Sequence, residues 1–234
     1  MNVTLLRHTI NPLVLTETAA CVCYNSEPTY DGRISKSCYK SGHQSVLEHV
    51  NFTWKIEGVS RALLAQLTRH RVASFSVQSQ RYCDMNGANM VIPPSISDNE
   101  EATQIYLNAL RTIAITYDAL ISLSIPKEDA RFILPNACST SIVMTMNLRE
   151  LIHFCNLRLC SRAQWEIRNL ASEMVSTVNA ATDNQFAYAL VPICEANTEF
   201  PFCPESKDKT CGKHPRLAEV YTLKVNKGEK TDAK

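Results

Sequence analysis

The 234 residues carry 24 lysines and arginines against 23 acidic residues, a formal charge of +1, so no chain-wide field draws a polyanion and any phosphate recognition must be local. There is no run of about 18 apolar residues to span a membrane as a helix, and the opening Met1-Asn2-Val3-Thr4-Leu5-Leu6-Arg7-His8 lacks a signal peptide's apolar stretch. The ten cysteines are scattered, with no Cys-x-x-Cys pair, which fits reduced thiols in a cytoplasmic protein and not a secreted disulfide scaffold.

Residues 3–6 predict an edge strand. Residues 13–24 predict a helix, with Leu13, Glu17, Ala20 and Cys21 at helical spacing and Pro12 near its start. Tyr30-Asp31-Gly32 signals a turn. The polar run from Gly42 to His49 leads into Val50–Glu57, whose strict alternation predicts a strand with one buried face.

A helix is predicted over 59–70, with Val59, Leu63 and Leu67 as its apolar stripe. Gln66, Arg69 and His70 stand at i, i+3 and i+4 and would share a face beside that stripe. From Arg71 to Tyr82 the chain leaves the helix. If its end is extended, Ser79 and Arg81 point the same way.

Pro93-Pro94 marks a loop, and a long helix is predicted over 99–123, with Ile105, Leu107, Ala109, Ile113, Tyr117 and Leu120 apolar. Pro126-Lys127-Glu128-Asp129 reads as the start of a short helix that runs through Arg131 and ends before Pro135. Ser141–Met146 is β-branched and apolar, a strand. Asn147 and Glu150 resemble a capping box, followed by the stripe Leu148, Leu151, Ile152 and Cys155. Arg149 and His153 lie on another face. A further helix is predicted over 158–178, and 224–234 reads as a disordered polar tail. No internal repeat appears, so residues 1–223 are expected to form one domain.

The chemistry concentrates in Arg69-His70-Arg71 and the residues after it. Such a cluster is costly to bury unless an anion pairs with it, and arginine forks match phosphate and carboxylate oxygens. A solvated basic turn is the alternative on these residues alone.

The stretch Arg69-His70-Arg71, seven residues, Ser79 resembles the signature of the flavin-dependent thymidylate synthases. Three further segments resemble that family in order: Gly42-His43-Gln44-Ser45-Val46-Leu47-Glu48-His49, then Ala130-Arg131-Phe132-Ile133-Leu134-Pro135, then Asn156-Leu157-Arg158-Leu159 with Ala163-Gln164-Trp165-Glu166-Ile167-Arg168. The resemblance implies reductive methylation of dUMP to dTMP, with methylenetetrahydrofolate as carbon donor, FAD as cofactor and NADPH as reductant. It implies dUMP contacts at Gln66, Ser79, Arg81, Arg131 and Arg158, with Ser79 and Arg158 at catalytic positions. Flavin contacts are implied at His43, Ser45, Arg69, His70, Arg71, Asn147, Arg149 and His153. The implied fold is α/β (α+β), helices packed on a largely antiparallel sheet, assembled as a homotetramer with shared active sites.

Several residues keep a second reading. Asn147 serves equally as a helix cap, His153 as a helix-face histidine, and Arg131 as a surface partner of Asp129. Ser79 could be a nucleophile, but a serine needs an adjacent base, so a substrate hydrogen bond is preferred. Val77 stands where many relatives carry Glu or Gln, Arg162 where some carry histidine.

Rival functions have less support. A classical thymidylate synthase needs a nucleophile within Pro-Cys-His, and no cysteine here precedes a histidine. A zinc-stabilised binding module could use Cys194, Cys203, Cys211 and His214, but their spacings do not match compact zinc patterns, so no metal is assigned. A nucleic-acid binder would need a basic field or aromatic–basic interleaving, and neither is present.

Overall fold

A computed structural model describes residues 1–85, 87–197 and 199–220. The chain divides into two compact units, one of Met1–Leu6 with Thr53–Thr145, the other of Arg7–Phe52 with the residues from Met146 on. The expected tail over 224–234 lies outside the described residues.

A four-stranded sheet in the order β1-β2-β4-β3, most of whose residues belong to the first unit, is formed by β1 (Asn2–His8), β2 (Asn51–Ser60), β3 (Ala73–Val77) and β4 (Ser139–Asn147). Mixed helix with antiparallel sheet is the architecture expected, and β1 lies at the edge as predicted. Strand β2 shows the alternation in full, since Phe52, Trp54 and Ile56 are completely buried while Asn51 and Lys55 are exposed. In β4, Thr140, Ile142, Met144 and Met146 take the buried positions. The hydroxyls of Thr53 and Thr145, 2.9 Å apart, tie β2 to β4.

The predicted helix over 59–70 is shorter. Strand β2 continues through Val59, and α3 occupies Arg61–Leu67, capped by the Ser60 hydroxyl, which accepts the Leu63 N–H at 3.0 Å. Val59 satisfies the strand period as well as the helical one, and the buried Ser60 cap decides where the helix starts. Thr68 ends α3, so Arg69 and His70 lie beyond it and the shared helical face with Gln66 does not form. Residues 80–82 form a turn, so the extended arrangement of Ser79 and Arg81 does not form either.

Helix α4 (Pro94–Ser97) replaces part of the expected loop after Pro93, and α5 (Glu100–Ser122) begins where Asn99 accepts the Ala102 N–H at 2.9 Å. Of its apolar residues Tyr117 is buried, while Ile105 and Ile115 are each 64% exposed. Tyr117 joins Met85, Ala130 and Cys138 in a satellite core, closed by α6 (Lys127–Ala130) and a 3-10 turn over Arg131–Ile133.

In the second unit, α1 (Pro12–Tyr24) starts on Pro12. Its buried Glu17 accepts the backbone N–H of Tyr30 at 2.5 Å, fixing the predicted turn there. Helix α2 (Arg33–Lys40) follows, then a 3-10 turn over Gln44–His49. Helix α7 (Leu148–Arg158) buries the predicted stripe together with Phe154. The helix expected over 158–178 is broken: α7 stops at Arg158, and α8 (Trp165–Ala181) restarts where the Gln164 side chain accepts the N–H groups of Glu166 and Ile167. Leu159 and Ala163 keep helical spacing, but Gln164 supplies a cap of its own, and a cap begins a new helix. All ten cysteines are free, and among the described residues no helix is long and apolar enough to cross a membrane.

Candidate active-site residues in the two units

The signature stretch lies in the first unit. Ser79 sits just past β3, where its Oγ accepts the backbone N–H of Arg81 at 3.2 Å and its carbonyl accepts the N–H of Cys83 at 3.1 Å. Among the described residues no histidine or carboxylate hydrogen-bonds that hydroxyl. Its own proton therefore remains available to a ligand.

Arg81 reaches across to Glu128, donating to Oε2 from Nε at 2.9 Å and from Nη2 at 2.6 Å. Arg131 approaches the same residue, its Nε donating to the Glu128 carbonyl at 3.1 Å. Two predicted substrate arginines thus converge on one glutamate. The bond to Glu128 replaces the surface pair of Arg131 with Asp129 that the sequence allowed. Gln66, on α3, donates to the Ala62 carbonyl at 3.4 Å.

Arg61 belongs to this neighbourhood and was not singled out from the sequence. It follows Ser60 at the first position of α3, and its Nη2 donates to the Gln78 carbonyl at 2.6 Å, next to Ser79. Its Nε is buried without a partner among the described residues. Burial pulls the guanidinium below its ordinary pKa; Cys138 opposes this and the charge of Arg131 adds to it. A lone arginine in the apolar run Gly58-Val59-Ser60-Arg61-Ala62-Leu63 was the available signal.

Arg69 and Arg71 are exposed, and no side-chain hydrogen bond or ion pair engages their guanidiniums among the described residues. His70 between them is 4% exposed.

The remaining predicted residues lie in the second unit. Gly42, at φ +82, makes the turn that presents His43 and Ser45, both exposed, at the start of the 3-10 segment. Glu48 in that segment accepts from Arg149 Nη1 at 2.5 Å. Asn147 is a helix cap, as its second reading held, because its Oδ1 accepts the Glu150 N–H at 2.9 Å. His153 is exposed on α7, and Arg158 is half-buried in its last turn.

The family profile described as "Thymidylate synthase complementing protein" matches residues 4–182. Similar proteins include a flavin-dependent thymidylate synthase of Geobacter sulfurreducens, 43% identical over 94% of this chain and 98% of that one. One from Clostridium tetani is 37% identical over 94% and 97%. A solved structure, the Helicobacter pylori flavin-dependent thymidylate synthase complexed with FAD and dUMP, aligns with TM-score 0.66 at 26% identity, covering 81% of this chain and all of that one. The rival reading as a zinc-stabilised binding module gains no support from these relatives.

Proposed function

The chain belongs to the flavin-dependent thymidylate synthase family, and we propose that it converts dUMP to dTMP with methylenetetrahydrofolate as carbon donor and NADPH as reductant through bound FAD. The observation that carries the substrate assignment is the convergence of Arg81 and Arg131 on Glu128 beside Ser79. A phosphate that enters there takes over the Arg81 donors already aimed at a carboxylate, with the Arg131 guanidinium, now on the Glu128 carbonyl, close by.

In the resulting division of labour, Arg81, Arg131 and Arg158 bind the nucleotide phosphate and orient the ring, and Gln66 contacts the base. Ser79, with its oxygen already accepting from the Arg81 N–H, donates its hydroxyl proton to dUMP. A nucleophilic role for Ser79 has no base to support it among the described residues. Arg158 is the second catalytic position, a cation that steadies charge on the substrate.

The chemistry of the candidate residues supports an FAD reading. Arg69 and Arg71 are exposed forks whose guanidiniums engage no side chain among the described residues, suited to a pyrophosphate. His43, Ser45, His70, Asn147, Arg149 and His153 complete the flavin contacts, with Arg149 oriented by Glu48. Bound FAD supplies the two electrons that reduce the transferred one-carbon unit to a methyl group, and NADPH replenishes them.

The assembly is a homotetramer with active sites shared between subunits. The exposed Ile105 and Ile115 of α5 support it, as apolar surface that a partner subunit would cover. The enzyme works in the cytoplasm as a single family domain over 1–223.

The test is the visible absorption of the purified protein before and after addition of FAD and dUMP. A flavin band that shifts on dUMP addition is expected. A colourless protein that takes up no FAD overturns the reading.

A further inference from the structure

The sequence left the cysteines near the end of the chain without a purpose, because their spacing matches no compact metal motif. The second unit gathers them. Cys194 lies in a 3-10 turn over Ile193–Glu195, and the ligand atoms of Cys194, Glu195 and His214 all fall within 4.8 Å of one another. Cys160 and Cys203 line the same cavity as Cys194 and His214.

Each position is fixed by a different local device. Cys160 sits in the turn that separates α7 from α8, where its carbonyl accepts the Ala163 N–H at 2.9 Å. Cys203, 8% exposed, donates its backbone N–H to the Pro215 carbonyl at 2.8 Å and forms a parallel bridge with Arg216. That bridge brings Pro215 and Arg216, the residues after His214, to Cys203. His214 in turn has Nε2 at 3.4 Å from Glu195 Oε1. An imidazole that gives one nitrogen to a carboxylate presents the other to a metal, in the orientation such second partners impose.

We propose that Cys160, Cys194, Cys203 and His214 form a closed structural site for a zinc-class divalent cation, with Glu195 orienting the histidine. Three sulfurs and one nitrogen are the donor set of a tetrahedral structural zinc centre, whose ligand atoms stand roughly 3.5 Å apart. The donor atoms of Cys194 and His214 lie within 4.8 Å of each other, close to that separation, and Cys160 and Cys203 line the same cavity. The Oε1 of Glu195 already takes Lys213 at 2.5 Å and lies 3.4 Å from His214, and Glu195 is kept as the partner that orients the histidine. Cys211, fully exposed, is held by Ser161 on the rim and is left outside the set.

The charge balance suits such a centre. Three thiolates and a divalent cation leave one negative charge, and Arg162, Arg168 and Lys213 line the cavity. The need is also evident. Among the described residues, the chain from 192 to 216 contains no regular element beyond the 3-10 turn and the Cys203–Arg216 bridge. A metal clip gives such a segment the stability that a core does not.

The proposal concerns the fold of this segment, and its test reads metal content independently of flavin. Full-length protein, purified without chelators, is analysed for metal by mass spectrometry, then stripped and titrated with Co²⁺ alone under reducing conditions. About one zinc per chain is expected, with a thiolate-to-cobalt charge-transfer band on substitution. Cys203→Ser should lose both, while Cys38→Ser, outside the cavity, should keep them. A strong chelator should lower the melting temperature of the unaltered protein. If Cys203→Ser does not fold, the cobalt titration of the unaltered chain decides alone. A metal-free protein that develops no cobalt–thiolate band, or a disulfide joining any two of the three cysteines, overturns the site.

Discussion

Arg81 separates the stability of the fold from the recognition of the substrate. Its guanidinium is held by Glu128 at 2.6 Å, but the two side chains are 51% and 48% exposed. An ion pair so solvated contributes at most about 1 kcal/mol, so Arg81→Ala should lower the melting temperature by no more than about 4 °C. Its effect on dUMP is expected to be much larger. Charge-assisted hydrogen bonds are worth about 1.5–3 kcal/mol, so Kd for dUMP should rise about 10- to 150-fold. Glu128 competes with the phosphate for the same donors, so Glu128→Gln should tighten dUMP by a factor of up to about 5. Calorimetric titration of FAD-loaded protein with dUMP measures both. Unchanged affinity in Arg81→Ala, or weaker binding in Glu128→Gln, refutes the role given to this pair. Loss of FAD with intact dUMP binding in Arg81→Ala would reverse the assignment of the two ligand sets.

Arg71→Ala should lower FAD occupancy of the purified protein, read from the ratio of flavin to protein absorbance, while melting changes little because the guanidinium is exposed and engages no side chain described here. Asn147→Ala should cost about 1 kcal/mol through loss of the α7 cap, and Asn147→Ser should restore stability. If Asn147→Ser also restores FAD retention, Asn147 is a cap and not a flavin contact. Burial pushes the Cys155 thiol up to about 12, whereas hydrogen bonding from Ser161 lowers that of the exposed Cys211. A brief alkylation near pH 8 followed by peptide mass mapping should therefore label Cys211 early and leave Cys155 untouched until the protein unfolds. Early labelling of Cys155 would contradict its burial.

What the sequence made legible follows from periodicity and local chemistry. The alternation of Phe52, Trp54 and Ile56 sets one face of β2, and the Asn147–Glu150 spacing marks the start of α7. Boundaries were less legible where one residue satisfies two patterns. Val59 fits both a strand and a helix, so only the Ser60 hydroxyl reveals where α3 begins. The break between α7 and α8 was hidden because Leu159 and Ala163 continue the helical step. Helix α2 was missed because it is short and polar and buries only Ser35 and Tyr39. In the site, charged residues in a recognisable motif could be found, but Arg61 could not, since its importance comes from a long-range bond to the Gln78 carbonyl. The shared cavity of Cys160, Cys194 and Cys203 was invisible for the same reason, as it depends on a turn that periodicity did not predict.

The central claim is tested most directly by following dTMP formation chromatographically with purified protein, dUMP, methylenetetrahydrofolate, FAD and NADPH under anaerobic conditions. The account predicts dTMP that disappears when FAD or NADPH is left out and falls sharply in Arg81→Ala. Undiminished dTMP formation by flavin-free protein, or none at all from fully FAD-loaded protein, would contradict it.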